Sequence, residues 1–167
     1  MAITAADIRF YYSGGATGSP ASSIGGSPSS TEITGGTHNL FDLVSSSEAS
    51  IGDTEYRMIY VGNTNVSSLT LQNAVIWISA DTTGAPSDVE IGVAPAGTTH
   101  SILANENASP TAQGFTATAT SEGTALSLGN IAANGYRAVW VKRIVPPGAA
   151  AATGTGVTFT VKGDTAA

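Results

Sequence analysis

The sequence predicts an all-β protein: an antiparallel β-sandwich, Ig-like or jelly-roll, with an extended Gly/Ser/Pro-rich N-terminal arm. Three observations carry this. About seven to nine short segments show period-two alternation or the β-branched and aromatic content of strands. They lie about 8 to 15 residues apart with turn residues between them, and no long stretch has the 3.6-residue period of a helix. Asn134-Gly135 is the strongest short turn signal in the chain.

The elements follow in order. "ITAADIRFYY" opens with a β-capable run in which Ile8, Phe10 and Tyr12 share one side. "YYSGGATGSPASSIGGSPSS" then carries no charge and reads, by composition, as a flexible linker. "THNLFDLVSSSEASIGD" has too few apolar residues for a long helix; one helical turn, or a loop pinned by Leu40 and Phe41, is expected. "EYRMIYVGN" alternates Tyr56, Met58 and Tyr60 against Arg57, Ile59 and Val61. "SLTLQNAVIWISA" sets Leu69, Leu71, Val75 and Trp77 against Ile76 and Ile78, and "DTTGAPSD" is a loop around Gly84 and Pro86. "VEIGVAP", "GFTATATS", "TALSLGN", "YRAVWVKRIV" and "GVTFTVKGD" read as further strands, with Pro146-Pro147-Gly148 stopping the fourth of these. The chain divides into an N-terminal strand and arm over residues 1–36 and a sandwich domain over residues 37–167.

Charge is scarce. Only 11% of the residues are charged, against about 25% in an ordinary soluble domain, which suggests a surface partly covered by neighbours. The net charge of −6 and the dispersed Lys and Arg argue against nucleic acid and anionic membranes as partners. Cys is absent, which excludes disulfides and thiolate chemistry. The first ten residues lack the pattern of a secretion signal, and a cytoplasmic site of synthesis is expected.

No constellation of residues specifies catalysis, so the chain is expected not to be an enzyme and to need no cofactor. His38 and His100 are isolated and lack metal-ligand spacing. Asp81, Asp88 and Glu90 bracket one loop without the dense acidic spacing of a calcium loop. Asp53 and Glu55 precede a strand and look like ordinary solvated charges. There is no Gly-x-Ser-x-Gly elbow and no phosphate loop. Trp77 and Trp140 lie in apolar strand patterns, which places them in the core and not on a sugar-binding platform.

One pattern recurs: "EYRMIYV" and "GYRAVWV" share Tyr-Arg-x-(Ile/Val)-(Tyr/Trp)-Val, eighty residues apart. It suits either matching surface elements that present Arg57 and Arg137 to a partner, or two central strands in similar surroundings. The second is favoured, because short β motifs recur easily.

"DIRFYYSGGA", "GDTEYRMIYVGNTN", "LTLQNAVIWIS", "NIAANGYRAVWVKR" and the terminal "VKGDTAA" together resemble a family of small tailed-bacteriophage virion structural proteins. The resemblance implies a virion component that binds by shape, with no cofactor. Its partners would be other virion proteins, either the major capsid protein or tail proteins, and it would be assembled in the host cytoplasm. Capsid decoration is slightly favoured. A tail-tip, baseplate or neck subunit is the alternative, and a carbohydrate-binding adhesin module comes behind both. A homo-oligomer is expected. Tyr11, Tyr12, Ile24, Arg57 and Arg137 are the candidate protein-contact residues, with the arm anchored on a neighbour through Ile24; the alternative is an ordered loop packed on its own sandwich. Deleting residues 13–30 is expected to leave a folded sandwich that attaches poorly.

Overall fold

The computed structural model describes residues 2–81, 88–97, 99–150 and 156–165; the predicted loop at Gly84 and Pro86 lies outside them. The described residues form an all-β sandwich of two antiparallel sheets. One sheet has five strands: β1 (Ile8–Ser13), β2 (Pro28–Glu32), β3 (Asp53–Asn63), β5 (Asp88–Val93) and β7 (Tyr136–Val145). Their order is β2-β1-β3-β7-β5. The other has β4 (Leu71–Asp81), β6 (Leu126–Ile131) and β8 (Val157–Thr165), in the order β6-β4-β8.

The two halves of the repeated pattern are adjacent strands. Ile59 stands opposite Val139, Arg57 opposite Val141 and Arg137 opposite Val61, so the repeat is related to itself by a local two-fold. The pattern therefore marks two central strands of similar surroundings. Strict alternation sorts each strand between two faces. Ile59, Val61, Val139 and Val141 pack with Val89 and Ile91 against Leu71, Ala74, Ile76, Ile78, Leu128 and Ile131 of the smaller sheet. Tyr56, Met58, Tyr60, Ala138 and Trp140 face the other way and are buried too. The larger sheet is thus covered on both faces, which is why β3 reads as apolar at nearly every position after Arg57. Buried Asn63 closes one end, its Nδ2 donating to the carbonyls of Leu69 and Ile131, both at 2.9 Å.

The cover on the outer face comes from the chain between β5 and β6 and from the Gly/Ser/Pro arm. Leu103 and Phe115 pack on the Tyr60–Trp140 layer. The arm joins β1 to β2 and lies on its own sheet. Met58 N–H donates to Ser23 O at 2.6 Å, Leu103 N–H to Ile24 O at 2.8 Å and Tyr60 O–H to Gly26 O at 2.5 Å. Gly26 also bridges His100. Glycine is required at Gly25, where φ is +120° and a Cβ would run into the Ser101 carbonyl oxygen. A linker-like composition here serves close backbone approach.

Two segments depart from expectation. In β4, Asn73 adopts φ +51° and the pairing with both neighbours shifts register around it. This bulge reverses the phase of the alternation. Leu71 faces the core with Ile76 and Ile78, while Val75 and Trp77 face outward and are half-buried. Trp77 is therefore not a core residue, whereas Trp140 is 4% exposed. "GFTATATS" forms only a single bridge, Thr116 to Ile91. Its threonines bond locally instead, Thr116 Oγ1 to Thr118 Oγ1 at 2.8 Å and Thr118 N–H to Thr116 Oγ1 at 3.1 Å, which competes with a ladder. The short helix expected after Leu40 is α1 (Ser46–Ile51), capped by Ser45 and Glu48 in a reciprocal capping box.

Candidate functional site

The inner face carries charge at one end. Glu55 and Arg143 are cross-strand neighbours on β3 and β7, and Arg57 is two residues further along the same face of β3. Glu55 and Arg57 are 1% and 2% exposed, and Arg143 8%. Sequence alternation puts Glu55 on the same side as Arg57, Ile59 and Val61, and that phase is the signal that would have placed it in the interior. Reading it as an ordinary solvated charge overlooked it.

Each arginine reaches out of the sheet to a loop. Arg143 pairs with Glu55, donates through Nη1 to the Asp42 carbonyl at 2.7 Å and meets the Asp42 carboxylate at 3.3 Å. Arg57 pairs with Glu106, donates through Nη1 to the Tyr56 carbonyl at 3.2 Å and lies 3.9 Å from Glu55 Oε1. The Phe41 ring sits between them, 4.8 Å from the Arg143 guanidinium carbon and 5.5 Å from that of Arg57. Two loops from distant parts of the chain, around Phe41-Asp42 and Glu106, are thus fastened to the sheet. The arrangement suits a fastener more than an acid-base pair, since each guanidinium is spent on carboxylates and carbonyls and no hydroxyl nucleophile takes part.

Burial pushes the Glu55 carboxyl up from 4.5 to about 7, against the pull of Arg143 and Arg57, with Asp42 adding to the rise. The folded chain therefore holds a proton that the unfolded chain releases between these values. Stability from Glu55 is fully present below pH 4.5 and declines as the pH rises to about 7, by about 3 kcal/mol at ~1.4 kcal/mol per pH unit. His100 acts oppositely: burial lowers its pKa, so its share of stability is lost as the pH falls. Glu55→Gln keeps the neutral shape and is expected to flatten the acid-favouring slope in urea midpoints measured at pH 5 and pH 8. An undiminished slope would assign the titration to another group.

The expected contact residues are dispersed. Tyr11 lies on the outer face, edge-on to Tyr136 at 5.5 Å. Tyr12 faces inward, 7% exposed, with its O–H donating to the Asn39 carbonyl at 2.5 Å. Ile24 is half-buried in the arm, which is held on its own sheet through the bonds described above. Arg57 is buried in the network, which corrects its expected place at a partner contact: its side chain completes its own core. Arg137 is half-buried at the other end of the same face.

Scans against family models, curated proteins and solved structures find no match to this chain. Site chemistry therefore stands on the geometry. Among the described residues, no group of three or more His, Asp and Glu side chains could hold a metal ion. An open depression of about 350 Å³ lies over β5, lined by Gln113, Phe115, Thr116 and Leu126 among others, and no titratable side chain lines it. The surface is correspondingly quiet. Five of the six cationic side chains pair within the chain: Arg9 with Glu32, Arg57 with Glu106, Lys142 with Glu90, Arg143 with Glu55 and Lys162 with Glu122. Single large apolar side chains stand out from it, with Leu43, Ile51, Val66 and Ile102 at 70%, 73%, 93% and 68% exposure.

Proposed function

We propose that this chain is a bacteriophage virion structural protein, an accessory capsid decoration or cement subunit that binds other virion proteins and copies of itself. The observation that carries the reading is the internal pairing of five of its six cations, which leaves a surface made mostly of small uncharged residues, carboxylates and isolated apolar side chains. Such a surface offers little to a phosphate backbone or an anionic membrane, and suits extended contact with other proteins. The sequence resemblance supplies the class of assembly. The exposed side of the arm, at Ala16, Thr17 and Ala21, belongs to the contact surface, while its inner side is committed to its own sheet.

A tail-tip, baseplate or neck subunit would draw on the same surface. The adhesin reading finds one feature, half-buried Trp77 on the outer face of the smaller sheet, with Thr160 across the strand pair. Trp140, Tyr12, Tyr56 and Tyr60 are buried, so the described aromatics do not assemble a platform around it. A particle reconstruction tests the proposal: density for this sandwich bridging capsomers supports the capsid version, and density at the tail supports the alternative. Particles without it would remove both.

A further inference from the structure

The bulge at Asn73 turns outward an indole that unbroken alternation from Leu71 would bury. Bulges recur beside binding sites because they re-aim a side chain in this way. Past the bulge, Val75 and Trp77 share the outer face of the smaller sheet with Lys162 and Thr160, their partners on β8. Trp77 is half-buried, and its indole N–H meets no acceptor among the described residues and opens to solvent. Trp140, by contrast, is 4% exposed.

A depression of about 210 Å³ adjoins this ring. Val75 lines it, one outward position (~7 Å) along β4 from Trp77. Asn73, Glu122, Lys162, Gly163 and Asp164 complete the lining. The polar groups hold one another in place. Lys162 Nζ meets Glu122 at 2.5 Å, and Asn73 Nδ2 donates to Asp164 Oδ2 at 3.4 Å. The Asn73 backbone N–H donates to Asn130 Oδ1 at 3.0 Å. On the other side of the ring, Thr160 Oγ1 donates to Ser79 Oγ at 2.7 Å.

Charge indicates what fits there. Glu122 cancels Lys162, and Asp164 leaves the depression one negative charge in excess. That disfavours phosphate, sulfate and acidic sugars. Two carboxylates are too few to hold a divalent cation, and no group of three His, Asp or Glu side chains occurs among the described residues. A neutral ligand with hydroxyls and an apolar face remains. Glu122 and Asp164 keep lone pairs beyond those already engaged, and Lys162 and Asn73 keep N–H donors. These groups suit the neighbouring hydroxyls of a sugar ring, in hydrogen bonds strengthened by charge. The indole offers an apolar surface to the C–H face of the same ring.

We propose that Trp77 and the adjoining depression form a binding site for one ring of a neutral carbohydrate. A single indole serves a single ring, without a platform of further aromatics. The site is independent of the virion reading, and its failure leaves that reading as it stands. It is tested by NMR titration of the isotope-labelled full chain with methyl glucoside, methyl galactoside, methyl mannoside and N-acetylglucosamine, with glucuronate and glycerol as controls. At least one neutral sugar is expected to shift the Trp77 indole signal and the Asn73 and Gly163 amide signals to saturation, with a millimolar Kd, and to leave the Trp140 indole signal in place. Trp77→Ala is expected to lose the saturable response. Asn73→Gly keeps a backbone at positive φ while removing the amide, and is expected to weaken binding ~5-fold. Thermal melts show that each variant folds. No saturable shift with any of the neutral sugars overturns the inference. So do shifts confined to other surfaces, an equal response to glycerol, tighter binding of glucuronate, or binding that both variants leave unchanged.

Discussion

At pH 8, where the Glu55 carboxyl is ionised, Arg143→Ala is expected to destabilise the protein by about 3–5 kcal/mol, the range for removing one partner of a buried ion pair. The side chain neutralises Glu55, holds the Asp42 carbonyl at 2.7 Å and carries the Phe41 ring on its guanidinium. Without it, Glu55 keeps only Arg57 at 3.9 Å, and the loop at Phe41-Asp42 loses its attachment. In a chain of this size the melting temperature should fall by roughly 10 °C. Removing both charges tells the cost of the orphaned carboxylate from the worth of the pair. Glu55→Leu with Arg143→Met is expected to recover much of the loss, because a well-packed apolar pair often matches a buried ion pair. Urea unfolding of the two single variants and the double variant checks this. A loss below about 1 kcal/mol for Arg143→Ala would mean that the network behaves as a solvated surface pair.

Replacing the arm, residues 14–27, by a two-residue Asn-Gly turn is expected to destabilise the whole sandwich. This reverses the expectation drawn from composition, that the sandwich would stay intact and merely attach less well. The arm supplies the acceptors for Met58 N–H and Tyr60 O–H, whose residues are both 0% exposed. Leaving the buried Met58 donor without its partner costs about 1–3 kcal/mol, Tyr60 O–H loses the Gly26 carbonyl, and the Tyr60 layer would be opened to water besides. The shorter connection returns little, because closure entropy varies slowly with length. Unchanged stability in thermal unfolding would show that the arm only rests on the sheet.

The strands could be read from the sequence because β3 and β7 alternate cleanly, and Asn134-Gly135 marks the turn before β7 where Asn134 takes φ +58°. The side that each strand turns inward was harder to read. A single extra residue at Asn73 reverses the phase of β4, and nothing in "LTLQNAVIWIS" announces a bulge. Alternation located Arg57 and Glu55 on the core side of β3, but charge argued for solvent; the pairing that resolves the conflict comes from Arg143, 88 residues away. The arm misled for a related reason. Gly, Ser and Pro specify where a backbone can go, and only the neighbouring strand shows what it lies against.

Quantitative mass spectrometry of purified phage particles addresses the central claim most directly. The account predicts this chain in the particle at high copy number, in fixed ratio to the major capsid protein. A few copies per particle would move it from the capsid to the tail or neck, and its absence from purified particles would contradict the account.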